Sequence, residues 1–355
     1  MKKHAIIPIF IPHEGCPNDC VFCNQKKITA RQKPIHAEDV KHIIDQYLPT
    51  LTGRGLETVE VAFFGGSFTG IPIEEQQAYL AVAKQYKDEG RIDKIHLSTR
   101  PDYINEEILD NLKAYHTDII ELGVQSFDDS VLQASNRGHN SEIVYKSCEL
   151  IQAYSFELGI QLMIGLPGDT HEKSVYSAME AVKIGPSIAR LYPTIIIEDT
   201  ELLRMYERGV YQPLSQKEAV FTTKEMYKIL DAAGIQIIRV GLKSTDIINE
   251  HGAITGGTYH PAFRQLVESE IAKEILEEKL TSLLCSGAYR APGSEFPEDP
   301  EQKPCFTFQS NSRCFSNMIG NKRSNKEYFA AKYPHIEIRY TENTLLADNH
   351  YNVIK

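Results

Sequence analysis

Ile6-Ile7-Pro8-Ile9-Phe10-Ile11-Pro12-His13-Glu14-Gly15-Cys16-Pro17-Asn18-Asp19-Cys20-Val21-Phe22-Cys23 sets a short apolar run directly ahead of three cysteines. The run has the length and the β-branched content of a strand. The cysteines follow it at C-x3-C-x2-C spacing. Three thiolates on one loop form a metal-binding set. A closed structural zinc site takes four ligands, whereas thiolates are the usual ligands of an iron–sulfur cube. Three cysteines for four irons leave one iron open, and an open iron is a place to bind and break something. The competing reading is a buried or metal-stapled structural loop.

Outward from this loop, strand-like and helical runs alternate. Thr58 to Phe64, Lys94 to Thr99, Asp118 to Leu122, Leu158 to Ile164 and Ala189 to Ile197 read as strands. Between them, Ala37 to Leu48, Glu74 to Glu89, Asn105 to Tyr115, Ser141 to Tyr154 and Glu172 to Ile184 carry helical periodicity. Six such units predict an α/β protein with parallel strands, helices outside and right-handed crossovers. The expected fold is a partial (β/α)6 TIM-like barrel over residues 1–240. A small C-terminal α+β extension is expected over 241–355. Each glycine-rich or polar motif follows a strand, the end where such barrels place their chemistry. No G-x-G-x-x-G follows the first strand, which disfavours a dinucleotide fold.

Beyond residue 200, Ser215 with Glu218 forms a capping-box pattern ahead of a long helix, and Ile235 to Val240 reads as a further strand. Gly252 to Tyr259 reads as a loop, Phe263 to Leu284 as a helix, and Ala291 to Lys303 as a linker. Phe306 to Tyr340 reads as a small tail unit.

Composition narrows the classes. Hydrophobic residues are 42% and charged residues 24%, ordinary for a chain that buries a core. A net charge of −10 argues against a surface that is basic throughout. It leaves room for a local basic face, and Lys322, Arg323 and Lys326 form one, with Phe306, Phe308 and Phe315 nearby in sequence. Such a patch either binds RNA or is a solvated face. Seven cysteines, three of them clustered, suit a reducing cytoplasm better than a disulfide framework. Pro8 and Pro12 interrupt the only apolar run near the N-terminus, so neither a signal peptide nor a membrane span is expected.

The cysteine loop, with aromatic Phe22 before its third cysteine, resembles the signature of the radical S-adenosylmethionine (SAM) superfamily. Later motifs resemble one branch, the catalytic subunit of Elongator and its bacterial and archaeal relatives. They are Phe63-Phe64-Gly65-Gly66-Ser67-Phe68-Thr69, Ser98-Thr99-Arg100-Pro101-Asp102 and Glu121-Leu122-Gly123-Val124-Gln125-Ser126, then Asn136-Arg137-Gly138-His139 and Leu191-Tyr192-Pro193-Thr194. Several also resemble oxygen-independent coproporphyrinogen oxidases. The resemblance covers residue 5 to about 240, and the 355 residues leave no room for Elongator's acetyltransferase domain.

The resemblance implies a 4Fe-4S cluster on Cys16, Cys20 and Cys23, with SAM chelated at the open iron. Reductive cleavage there yields a 5′-deoxyadenosyl radical. Phe22 would pack near the adenine, and Gly65, Gly66 and Ser67 would meet the methionine amino group. Arg100 either pairs with the SAM carboxylate or closes a strand end beside Asp102. Ser98 and Gln125 would reach ribose hydroxyls. Glu121 is either a cofactor contact or a buried paired carboxylate. Arg137, with Gly138 and His139, would touch SAM or substrate or else form a surface ion pair, and Tyr192 and His260 either pack or meet substrate. Cys148 reads as a core cysteine. Cys285, Cys305 and Cys314 fit no compact ligand motif. The implied substrate is an RNA, with tRNA foremost, and the implied reductant is flavodoxin or ferredoxin. The alternatives are a small-molecule substrate, as in the porphyrin oxidases, or a metal-stabilised RNA-binding protein.

Overall fold

The computed structural model describes residues 4–11, 16, 20–24, 35–242, 254–285 and 303–355. The chain forms two compact units, Met1–Pro261 and Ala262–Lys355.

The first unit is built on a curled, seven-stranded parallel sheet. Its strands are β1 (His4–Ile11), β2 (Thr58–Gly65), β3 (Lys94–Thr99), β4 (Ile119–Gln125), β5 (Glu157–Ile164), β6 (Ile188–Pro193) and, beyond the short β7 (Ile195–Ile197), β8 (Gln236–Val240). They lie in the order β1-β2-β3-β4-β5-β6-β8, every neighbour parallel. This is the expected partial barrel, lengthened by one strand at its far edge. Helices Ala37–Leu51, Ile73–Asp88, Glu106–Ala114, Ser141–Ala153, His171–Ile184 and Gln216–Ala232 fill the crossovers. Four of them start on a side-chain cap. Asn105, Asn140, Thr170 and Ser215 accept from the backbone N–H three residues on. Each such cap contributes about 1 kcal/mol. Glu218 also accepts from the Ser215 N–H at 2.8 Å, completing the capping box.

The two faces of the sheet differ in chemistry because side chains alternate along a strand. Ile7, Ile9, Val61, Phe63, Ile95, Leu97, Ile120, Leu122, Ile160 and Leu162 are at most 1% exposed and form the outer, helix-covered layer. The alternate positions carry Glu60, His96, Ser98, Glu121, Gln125, Gln161, Arg190 and Tyr192. A closed barrel fills its interior with apolar side chains. This open one keeps a polar concave face.

Two local expectations change. The run Ala189 to Ile197 is two strands, broken at Thr194, whose N–H turns to the Ile164 carbonyl at 2.8 Å. Gly252 and Ala253 lie outside the described residues, but the rest of the expected loop is partly a strand. β9 (Ile254–Gly257) pairs antiparallel with β7. The first unit therefore extends past residue 240, to Pro261. Residues 291–302 of the expected linker lie outside the described residues.

The second unit is α+β. Helix Phe263–Cys285 packs on a three-stranded sheet of β10 (Cys305–Ser310), β11 (Glu337–Glu342) and β12 (Tyr351–Ile354), with β10 central. Helices Phe315–Ile319 and Ser324–Lys332 complete it. Phe306 and Phe308 are 1% and 0% exposed in its core, Phe308 edge-on to Phe329 and Tyr340. They are packing residues, which corrects their expected place beside a basic RNA face. Lys322, Arg323 and Lys326 do stand exposed. Among the described residues no helix is long and apolar enough to cross a membrane.

Candidate active site

Residues 20–24 of the cysteine loop are pinned across the strand ends by their hydrogen bonds. Val21 N–H donates to the Ser135 carbonyl at 3.1 Å, and its carbonyl accepts from Leu202 N–H at 2.7 Å. Cys23 N–H closes a turn on the Cys20 carbonyl at 2.9 Å, and Asn24 Nδ2 reaches the Glu198 carbonyl at 3.1 Å. Phe22 packs with Val21 against Ile196, Leu202 and Tyr211. Its aromatic ring thus anchors the loop to the segment after β6.

Gly65 shapes the other side. Its φ is +113°, and a Cβ there would stand 2.4 Å from the Ile11 carbonyl oxygen, the last residue of β1. Gly66 N–H donates to that oxygen at 3.2 Å, and Ser67 Oγ lies 3.2 Å from Cys16 Sγ. We expect Gly65→Ala to cost about 1–3 kcal/mol through strain at this φ. It should also lower iron content after reconstitution, because the displaced carbonyl leads into the cysteine loop. Denaturant unfolding and iron analysis of the same preparation read both effects.

Cys20 is 6% exposed and faces two guanidinium groups. Arg137 Nη1 lies 3.1 Å from its sulfur and Arg100 Nη1 3.9 Å. Arg137 Nη2 also donates to the Gly123 carbonyl at 2.6 Å. Arg100 forms a two-pronged pair with Asp102 at 2.9 and 2.8 Å and donates to the Arg137 carbonyl at 2.5 Å. Arg100 thus stands paired with Asp102 at the end of β3, with Nη1 turned towards Cys20. His139 follows in the same Asn136-Arg137-Gly138-His139 motif. It is 7% exposed, and neither ring nitrogen has a hydrogen-bond partner among the described residues. Burial first, then the Arg137 charge, pushes it down to about 4, so it is a neutral imidazole.

Beneath this layer lies a buried ionic ladder. His96 Nδ1 meets Glu60 Oε1 at 2.6 Å, and its Nε2 stands 3.4 Å from Glu121 Oε2. The same Glu121 oxygen is 2.8 Å from Arg190 Nε, and Glu121 Oε1 accepts from Gln161. Arg190 lies over the Phe64 ring at 4.5 Å, and Glu60 reaches half-exposed His4 at 3.0 Å. Glu121 reaches Arg190 because β5 carries Gly159 between them. A Cβ there would stand 3.0 Å from Glu121 Cγ. Glu121 is 0% exposed and paired within this ladder, between His96 and Arg190.

Burial opposes the charge on His96, but Glu121 and Glu60 on either side raise it to about 9. Burial likewise opposes the charge on Glu60, and its two histidine partners overcome this and hold it at about 2. Which polar groups meet depends on strand register, which no local stretch of the sequence shows.

The sequence-predicted site thus separates into two levels. Cys16, Cys20, Ser67, Arg100 and Arg137 gather at the strand ends, and Ser98 and Gln125 line the concave face just below. Ser98 Oγ, Gln125 Oε1 and Thr194 Oγ1 are buried there without a hydrogen-bond partner among the described residues. Gln125 is held at φ +70° by a bulge in the β4–β5 ladder. His260 lies apart, on a groove of about 590 Å³ shared with Ser215 and Thr258.

Cys148 is 1% exposed in helix Ser141–Ala153, and burial pushes it up to about 12. Cys314 is buried in the second unit, bonded to Asn349, and Cys285 is exposed. Cys20, Cys23, His36 and His42 have zinc-finger-like spacing. His42, however, sits on an exposed helix face bonded to Gln46. Among the described residues no three Cys, His, Asp or Glu side chains converge as a ligand set.

A model of the radical SAM superfamily matches residues 10–176, and a model of the radical SAM C-terminal domain matches residues 186–273. The chain belongs to the radical SAM superfamily. It is a radical SAM enzyme, and the superfamily implies a 4Fe-4S cluster and SAM. The tRNA uridine(34) acetyltransferase of Methanocaldococcus jannaschii is 26% identical over 61% of this chain and 47% of its own length. Elongator complex protein 3 of Dictyostelium discoideum is 25% identical over 61% of this chain and 46% of its own. Heme chaperone HemW of Bacillus subtilis is 25% identical over 61% and 56%. This radical SAM chain spans about half the length of the curated relatives it matches. The archaeal Elp3 of Methanocaldococcus infernus has a similar fold, with a TM-score of 0.61 at 21% identity over 78% of this chain and 64% of that one.

The residues present suit the implied groups by their chemistry. Three soft thiol ligands share one stretch of eight residues, and two buried guanidinium groups face one of the sulfurs, an arrangement that suits an anionic metal–thiolate assembly. The unpartnered oxygens of Ser98, Gln125 and Thr194 suit a ligand rich in hydroxyl and amino groups.

Proposed function

We propose that this chain modifies RNA, with tRNA as its substrate, by radical SAM chemistry. Cys16, Cys20 and Cys23 would hold the cluster. Phe22, Gly65, Gly66, Ser67, Ser98, Gln125 and Arg137 would surround SAM. The bound groups supply one-electron cleavage of a sulfonium bond, chemistry beyond any side chain. The protein's share is placement. Val21 fixes the loop by both of its backbone groups, and Arg137, with Arg100 beside it, faces the Cys20 sulfur. Asp102 keeps Arg100 from swinging away, and the ionic ladder gives the concave face a rigid, charged floor.

The observation that carries this reading is the pairing of the Cys20 sulfur with Arg137 and Arg100 above a face of unpartnered polar atoms. The tRNA assignment is supported by likeness to the uridine(34) acetyltransferase and Elongator proteins, and by exposed Lys322, Arg323 and Lys326. A flavodoxin or ferredoxin would supply the electron, in a cytoplasm that keeps thiols reduced.

Anaerobically reconstituted protein should bind about four irons per chain and release 5′-deoxyadenosine on reduction with SAM. Comparative mass spectrometry of tRNA nucleosides, with and without the gene, should show one modified nucleoside lost. Iron bound without SAM cleavage would defeat the mechanism, and an unchanged nucleoside profile would defeat the substrate. The likeness to HemW favours one other reading, a tetrapyrrole ligand. A heme titration followed by absorbance distinguishes it.

A further inference from the structure

Arg239 reaches the concave face through a break in the β6–β8 ladder. Ile188 pairs with Gln236 and Ala189 with Ile237, but Arg190 pairs with Arg239 and skips Ile238. The skipped residue is a bulge. In unbroken register Arg239 would lie opposite Leu191 and face the helices, since a one-residue slip exchanges the faces of a strand. Instead Val240 takes that place, 6% exposed against buried Leu191. Two arginines become direct cross-strand partners on the inner face.

Like charges directly opposite each other weaken strand pairing. Arg190 is compensated by Glu121 at 2.8 Å and by the Phe64 ring. Arg239 is not. Among the described residues it makes no hydrogen bond and no ion pair, and its charge bears on the Tyr192 phenol. With His96 protonated, Glu60, His96, Glu121 and Arg190 sum to zero charge, so Arg239 leaves the layer one positive charge in excess. Tyr192 adds a second unmet donor. Its oxygen accepts from Arg190 Nη1 at 3.3 Å, while its own O–H meets no acceptor among the described residues. Burial, partly countered by Arg190, raises this phenol and keeps it protonated. Both residues are half-buried, and β8 is the terminal strand of the sheet. A half-buried guanidinium and a phenol O–H, both without acceptors among the described residues, are the donor set for an oxyanion.

We propose that Arg239 and the Tyr192 hydroxyl bind an oxyanion of the substrate on the concave face, a phosphate group of the nucleotide being modified. The nucleotide source rests on the tRNA reading above. The oxyanion site rests on the bulge and the two unmet donors.

The test compares the whole chain with its Arg239→Gln and Tyr192→Phe variants. Inorganic phosphate binding is followed by phosphorus NMR, and melting by circular dichroism. A charge-assisted hydrogen bond lost from such a site corresponds to about a 10- to 100-fold weaker Kd. That loss is expected for Arg239→Gln, with a smaller one for Tyr192→Phe and partial recovery in Arg239→Lys. The melting temperature of Arg239→Gln should hold or rise, because a like-charge pair is removed. Unchanged phosphate affinity overturns the proposal, most clearly if accompanied by a fall in melting temperature, the mark of a structural arginine. A second arm measures tRNA affinity against salt. The log–log slope should fall by about 0.7–0.9 in Arg239→Gln, one phosphate contact's worth. If phosphate binding is lost but the tRNA slope is unchanged, the oxyanion site stands and the tRNA source is overturned.

Discussion

A Cys20→Ala variant should lose its iron, its sulfide and its SAM cleavage together, and still fold. The loss follows from ligand count. With two cysteines left, no cube retains three iron–thiolate bonds from this loop, so 5′-deoxyadenosine should fall to the level of a protein-free control. Folding survives because the loop does not hang on this sulfur. Val21 keeps its bonds to Ser135 and Leu202, and Phe22 and Val21 keep their packing on Ile196 and Leu202. The variant deprives Arg137 of one contact and leaves it the Gly123 carbonyl at 2.6 Å. Such a loss costs about 1–3 kcal/mol, within the roughly 5–15 kcal/mol that holds a domain folded. Cys148→Ala is the matched control. That thiol is buried in an outer helix, so iron content should be unchanged there. Iron analysis, the visible spectrum and a thermal melt check all three statements. A Cys20→Ala protein that keeps about four irons per chain would sink the ligand assignment.

The barrel was legible because its signal is local. Strand-like runs such as Thr58 to Phe64 and Lys94 to Thr99, separated by helical runs, state the strands and their order. The site motifs were legible for a related reason, since each follows a strand end. What escaped depends on register. Nothing in Ile235-Gln236-Ile237-Ile238-Arg239-Val240 shows that Ile238 is skipped and that Arg239 turns inward. His96 reads as one polar residue in a strand, and only the offset of β2, β3 and β4 brings Glu60 and Glu121 to its two nitrogens. Phe306 and Phe308 failed in the opposite sense. Their closeness in sequence to Lys322 and Arg323 suggested a shared face, but alternation in β10 turns both into the second unit's core. Glu121 and Arg100 carry two readings each, and the partners that hold them in place are distant in sequence or on the next turn.

Glu121→Leu should be the most destabilising single change in the first unit. It removes the carboxylate between His96 and Arg190, both nearly buried, and leaves two cations facing each other. Breaking a buried pair by removing one partner costs about 3–5 kcal/mol, far above the net worth of the pair itself. The ladder also makes a statement about pH. His96 is raised from 6.5 to about 9, so its stabilisation is complete below pH 6.5 and is lost as pH climbs through about 9. Glu60 is lowered from 4.5 to about 2, so its stabilisation is complete above pH 4.5 and is lost as pH falls through about 2. The wild type should therefore unfold at higher urea at pH 6 than at pH 9, by on the order of 3 kcal/mol if the full His96 shift is expressed. His96→Leu strands Glu60 and Glu121 as buried anions and is less stable at both values, but it has no imidazolium to lose. Its stability should change much less between pH 6 and pH 9. Urea titrations of wild type, Glu121→Leu and His96→Leu at the two pH values separate these effects. If wild type and His96→Leu lose the same stability on the alkaline side, the His96 imidazole is not protonated between the carboxylates, and the concave face loses the charge balance that sets Arg239 apart.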